Sequence, residues 1–208
     1  SAPMLDRARQ RSRQLDHVRF VEADAQTTDI GSLGVDRLIS RFGVMFFADL
    51  AAAFVNLRTA MARRTSRDQR GRLAFVTWQS PKQNPMFTFA GAAVAHLMAS
   101  SDAPPARPNA PGPFALADHA RIAQVLFGAG CSDVTITGHE VALDFGGGGT
   151  VDELVQFAID LGPIGRAIVE DPSLDAPIRE TLGSTIESSW SDGTFELPAA
   201  VWVVTTSV

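Results

Sequence analysis

Asp24 and Arg41 are the charged residues whose positions best suit ligand chemistry. Each follows a short apolar run: Val18, Phe20 and Val21 precede Asp24, and Leu38 and Ile39 precede Arg41. Ligands in open α/β sheets bind outside the carboxyl ends of strands. A carboxylate at such an end accepts from an amine, and the backbone N–H groups of Ala25 and Gln26 can donate to a ring nitrogen. Arg41 and Phe42 can face the polar part of the same ligand. Phe46, Trp78 and Gln79 close the second and third runs and can line a substrate pocket, where an aromatic face attracts a cation.

Other candidates carry less. Residues 146–149 are four glycines between a strand pattern and a helix pattern, but Lys-Ser/Thr is missing and Val151 breaks G-x-G-x-x-G. A flexible linker is the better reading. His17, His96, His119 and His139 lack H-x-x-x-H spacing and cysteine partners, so no metal site is expected. Either His96 or His119, which flank a Pro-rich stretch, can act as a general base. Cys131 is expected as a small buried hydrophobe rather than a nucleophile.

The elements that must position these groups follow from the pattern. At 208 residues the expectation is one domain with a sizeable core. Hydrophobic content of 45% and charge of 20% fit an ordinary globular protein, and a net charge of −5 argues against general nucleic-acid binding. A single cysteine excludes an internal disulfide framework and suits a reducing compartment, so a cytoplasmic location is expected. No apolar run is long enough to span a bilayer. Helices are predicted over residues 1–14, from Asp49 through 61, and over 86–98, 117–128, 150–161 and 174–188. Leu50, Phe54, Leu57 and Met61 share one face of the second. Thr150 and Glu153 form a capping box, and Leu154, Phe157, Ala158 and Leu161 mark the buried face of that helix. Strands are predicted over residues 18–21, 36–40, 72–78, 134–145 and 194–206, the last with an irregularity or an edge at Pro198. Residues 63–70 read as a solvated basic loop, and residues 102–113, with five prolines, as a loop near a substrate mouth. Strand–helix alternation implies a mainly parallel sheet with helices on both faces.

Residues 36–45, Asp-Arg-Leu-Ile-Ser-Arg-Phe-Gly-Val-Met, resemble the D-x-(V/I)-x-S-x-x-x-(L/M/F) run of class I S-adenosylmethionine-dependent methyltransferases. The match is best to the small-molecule branch that includes the quinone-biosynthesis enzymes. Glu22-Ala23-Asp24-Ala25 is similar to the family's acidic step after its third strand, and residues 1–9 look like its D-I-S-x-x-M-L-x-x-A-R start. The likeness runs on through residues 71–79 and 195–205. It implies a Rossmann-like sheet whose last strand inserts antiparallel between the two before it. S-adenosyl-L-methionine is the implied cofactor, with Asp24, Ala25 and Gln26 on the adenine, Met4 packed against its ring, and Arg41 and Phe42 beside the amino-acid portion. Phe46, Trp78 and Gln79 are the implied acceptor contacts; no catalytic residue is assigned.

The family's glycine-rich D-x-G-C-G-x-G loop and its ribose-binding acid do not occur in the sequence. The resemblance therefore implies a domain whose first two strands are missing. Residues 1–79 would be the remainder of the cofactor half and residues 80–208 the substrate-side half. Two consequences are expected. Methyl transfer to a small-molecule acceptor would be impaired in these 208 residues. Residues 18–21 would pair directly with 36–40, or the chain would self-associate through exposed sheet edges. A non-catalytic binding module of the same fold is the alternative. A nicotinamide-dependent oxidoreductase fits worse, since it lacks its glycine fingerprint and the pattern at residues 40–45 suits it poorly.

Overall fold

The computed structural model describes residues 1–62, 70–98, 110–161, 163–190 and 193–208. Among these, four strands form one sheet: β1 (Arg37–Arg41), β2 (Arg72–Trp78), β3 (Ser132–Asp144) and β4 (Glu196–Ser207). Their order is β1-β2-β4-β3. β1 and β2 are parallel, and β4 runs antiparallel to both of its neighbours. The insertion of the last strand between the two before it matches expectation. Pro198 also falls as expected. β2 pairs with β4 only from Val201 to Ser207, so at Pro198 the strand has β3 on one side and no ladder to β2 on the other.

Helix α2 (Leu50–Ala62) begins where the Asp49 carboxylate accepts from the Ala52 N–H. It buries Leu50, Phe54, Leu57 and Met61 against the sheet, with the Phe54 and Phe75 rings 5.5 Å apart. Each such side chain contributes roughly 1.5–3 kcal/mol by leaving water. α4 (His119–Gly128) adds Ile122 and Leu126 to the same core, which also takes Leu73 and Val204. Asp118 caps it by accepting from the Ala120 N–H.

A second core lies toward the far end of the long β3–β4 ladder. It joins Phe145, Phe195, Val94 of α3 (Phe89–Val94) and the buried faces of α5 (Val151–Leu161), α6 (Ile164–Glu170) and α7 (Asp175–Glu187). The capping box at the start of α5 forms: Glu153 accepts from the Thr150 N–H, and the Glu153 N–H donates to Thr150 Oγ1. Gly146 and its three glycine successors all take positive φ, which only glycine adopts without strain.

Three expectations are corrected. Residues 18–21 form no strand: residues 18–24 hold no helix, turn or ladder, because no strand among the described residues lies beside them to pair with. Nor do residues 18–21 reach across to β1. The helix expected over 86–98 shrinks to Phe89–Val94. Buried Asn84 fixes the preceding chain by bonding Ser80 and Ala200; a short 3-10 turn, Pro81–Gln83, precedes it, and a second, Pro85–Phe87, replaces the start of the expected helix. Finally, α5 buries Leu154, Val155, Ala158 and Ile159, while Phe157 and Leu161 are exposed. Packing against both α6 and α7 turns the buried stripe by one residue. The residues expected to form the basic loop lie, from 63 to 69, outside the described residues, as do 102–109 of the Pro-rich stretch. α1 (Ala2–Arg11) buries no residue.

Candidate functional site

The parallel strands β1 and β2 end together, and two segments meet near those ends. The first is the turn at residues 24–28. Its fold is local: the Asp24 backbone carbonyl accepts from the N–H groups of Thr27 and Thr28. The Asp24 carboxylate accepts from the Gln26 N–H at 2.9 Å and from Thr27 Oγ1 at 3.3 Å. Short acidic side chains favour such turns because they bond the backbone two residues on. Long-range bonds then fix the turn on α2. Asn56 Nδ2 donates to the carbonyls of Ala25 and Thr28, and the Asp49 N–H donates to Gln26 Oε1. The turn therefore sits at the start of α2, next to the loop leaving β1.

That loop is the second segment. Phe42 follows β1 with φ 59°, a left-handed conformation rare for a bulky residue. Its N–H donates to the Val76 carbonyl, and the Gly43 N–H donates to Ser40 Oγ. The twist lays the Phe42 ring flat on Trp78, centroids 4.2 Å apart and planes 11° from parallel. Trp78 meets Phe87 edge-on at 5.3 Å, and Phe87 meets Phe114 at 5.1 Å. A row of four aromatic rings thus runs from the end of β1 toward α4. Residues in unusual backbone conformations cluster at ligand sites.

The expected site residues divide accordingly. Asp24, Ala25 and Gln26 share the turn, and Phe42 and Trp78 share the aromatic row. Arg41 ends β1 with its side chain exposed. Phe46 is 57% exposed. Gln79 is buried, and its amide is engaged at both ends: Nε2 donates to the Val201 carbonyl and Oε1 accepts from Gln83. Met4 stands apart on α1, 74% exposed. Asn56, Asn84, Phe87 and Phe114 were missed. Asn56 had a signal, since it is the first polar residue to interrupt the apolar run of α2. The aromatic partners had none, because Phe87 and Phe114 are far from Trp78 in sequence or on a segment read as regular helix.

An adenine fits the turn in part. Each Asp24 oxygen keeps an acceptor site beyond its single turn bond, and the Ala25 N–H makes no bond among the described residues, so the pair can accept from an amine and donate to a ring nitrogen. The Gln26 N–H is already committed. Cys131 is buried, and burial pushes its thiol up despite the Thr206 hydrogen bond and the nearby Arg58 charge, as befits an inert cysteine.

No protein-family model and no curated protein sequence matches the chain. Solved structures do. A Bacillus halodurans C-125 protein for which methyltransferase activity is itself only proposed aligns with 100% of this chain and 79% of its own, at a TM-score of 0.51 and 13% identity. The YcgJ protein of Bacillus subtilis aligns over the same shares, with a TM-score of 0.53 and 12% identity. The fold is a Rossmann-like methyltransferase fold. Geranyl diphosphate C-methyltransferase of Streptomyces coelicolor A3(2), solved with Mg2+, geranyl diphosphate and S-adenosyl-L-homocysteine, covers 100% of this chain and 62% of its own. The two superpose at a TM-score of 0.41 and 16% identity. Among the described residues, no helix is long and apolar enough to cross a membrane.

Proposed function

We propose that the protein belongs to a methyltransferase that moves CH3 from S-adenosylmethionine to a small-molecule acceptor. The observation that carries this reading is the pairing of sequence and place. Residues 36–45, which resemble the methyltransferase run, form β1 and its strained Phe42 exit, beside the turn that presents Asp24 and Ala25. Asp24 would accept from the adenine amine and Ala25 would donate to the ring. Arg41 would face the polar portion of cofactor or acceptor. The sulfonium supplies an already activated methyl, so the chain's task is to bring acceptor and donor into line. With that group bound, the acceptor would gain the methyl as the sulfur–carbon bond breaks, and an acceptor proton, where one must leave, would pass to a base or to water.

The likeness of residues 36–45 favours the quinone-biosynthesis-like branch. A single buried thiol suits a reducing cytoplasm. The sequence holds no D-x-G-x-G-x-G run, so these 208 residues should bind cofactor weakly. One observation favours the second reading, a non-catalytic binding module: Trp78 is only 9% exposed, and its face is taken by Phe42, not open to a sulfonium. Saturation-transfer NMR with S-adenosylhomocysteine tests the first. Transfer to the adenine protons is expected, with affinity falling about tenfold in Asp24→Ala, the loss of roughly one charge-assisted hydrogen bond. No transfer at millimolar ligand, or transfer unchanged by the substitution, would overturn it.

A further inference from the structure

Away from β1, a cleft of about 230 Å3 opens between the turn that follows β2 and the β3–β4 ribbon. It is lined by Lys82 and Pro85 from the first and by Glu140, Pro198, Ala199 and Ala200 from the second. Neither the Lys82 ammonium nor the Glu140 carboxylate makes a hydrogen bond or ion pair among the described residues, so the two charges are not spent on each other. The walls are fixed. The Gln83 N–H donates to the Ser80 carbonyl and the Asn84 N–H to the Pro81 carbonyl, which closes the turn under Lys82. Gln83 Nε2 donates to Gln79 Oε1, and Asn84 is bonded to both backbone groups of Ala200, the residue in register with Glu140. The backbone adds an acceptor. The Gln79 N–H donates to the Ala200 carbonyl and the Ala200 N–H to Asn84 Oδ1, so Ala200 directs both groups away from β3. Alternation along an antiparallel ladder gives the Pro198 carbonyl the same direction. β2 pairs with β4 only as far as Val201, and the Pro198 carbonyl accepts no bond among the described residues.

We propose that this cleft binds a small zwitterion of the free amino-acid class. Glu140 and the Pro198 carbonyl accept from its ammonium, and Lys82 donates to its carboxylate. Pro85, Ala199 and Ala200 take up its aliphatic part. Charge selects the class. A ligand with only negative charge meets Glu140, and one with only positive charge meets Lys82. A ligand that carries both signs escapes both penalties. Size selects within the class, since the cleft is smaller than the roughly 300–1,000 Å3 of sites for drug-sized ligands. Lys82 and Glu140 are exposed, so water and salt screen both contacts, and binding is weak and salt-sensitive. The cleft shares no lining residue with the turn at residues 24–28 or with the aromatic row, and its assignment does not depend on the methyltransferase reading.

Titration of the chain with L-leucine, followed by backbone amide NMR in low salt, tests this. Saturable shifts at Gln83, Asn84, Ala199 and Ala200 are expected in the millimolar range. Leucinamide, which lacks the carboxylate, and N-acetyl-leucine, which lacks the ammonium, should each bind about fivefold more weakly, the upper range for one exposed ion pair. The variants should cross with the ligands. Lys82→Met should lose the discrimination against leucinamide and keep that against N-acetyl-leucine, and Glu140→Gln should do the reverse. Both side chains are exposed, and matching circular-dichroism melts establish that the variants fold. Absence of shifts with leucine, shifts centred on residues 24–28 instead of the cleft, equal binding of all three ligands, or discrimination indifferent to both substitutions would each overturn it. None of these readouts involves S-adenosylhomocysteine, so failure here and failure of the methyltransferase reading are separable.

Discussion

At the carboxyl end of β2, polar side chains leave almost nothing unmet: Asn84 bonds the carbonyls of Ser80 and Ala200 and accepts from the Ala200 N–H, while Gln79 is held by Val201 and Gln83. Along the outer side of β1, a few residues away, Arg37, Ile39 and Arg41 direct their backbone groups to no strand among the described residues. The first region has its partners within the described chain, and its side chains are fixed before any ligand arrives. The second presents apolar and cationic surface that no described strand covers. The difference predicts how each responds to change. Substitutions at the carboxyl end should damage stability, because a buried polar group left without its partner cannot turn to water. Substitutions on the edge should spare stability.

The largest effect is expected at Asn84. Its side chain is fully buried and makes three bonds, tying the segment after β2 to β4. Asn84→Ala strands the buried Ala200 N–H, while the Ser80 and Ala200 carbonyls keep the Gln83 and Gln79 N–H groups, and should cost about 2–3 kcal/mol in urea unfolding, with m unchanged. A loss below about 1 kcal/mol would show that water replaces the side chain, and that the contrast with the edge is overstated.

Asn56 should give an intermediate effect with a different signature. It bonds two carbonyls of the Asp24 turn from a half-buried place on α2. Asn56→Ala should cost about 1–2 kcal/mol of stability. It should also weaken S-adenosylhomocysteine binding although Asn56 is not proposed to touch the ligand. Unfolding stability and ligand affinity should fall together. Stability lost with affinity unchanged would separate the turn from the site.

How much of this was legible in the sequence follows the same divide. The apolar face of α2, the capping box of α5 and the course of β2 and β4 are set by neighbours in sequence, and each showed as periodicity or a cap. The antiparallel insertion of β4 came from the methyltransferase resemblance, since no local pattern encodes strand order. Residues 18–21 have good strand composition and still form none, because a strand exists only beside a partner. In the site, Asp24 was legible as an acid after an apolar run, but the bonds that occupy Gln26 and Gln79 depend on residues 23 and 122 positions away. Phe42 stacking on Trp78 likewise rests on a backbone twist that composition does not announce.

The smallest effect on stability, and the sharpest use of the comparison, is at Ile39. An 85% exposed isoleucine has little burial to lose within one copy, and threonine keeps its β-branched shape and strand preference. Ile39→Thr should therefore leave unfolding within about 0.5 kcal/mol of the parent, as urea midpoints measure. A loss well above 1 kcal/mol would mean that Ile39 is already covered within its own chain, and the edge would then be a packed region like the carboxyl end rather than its opposite.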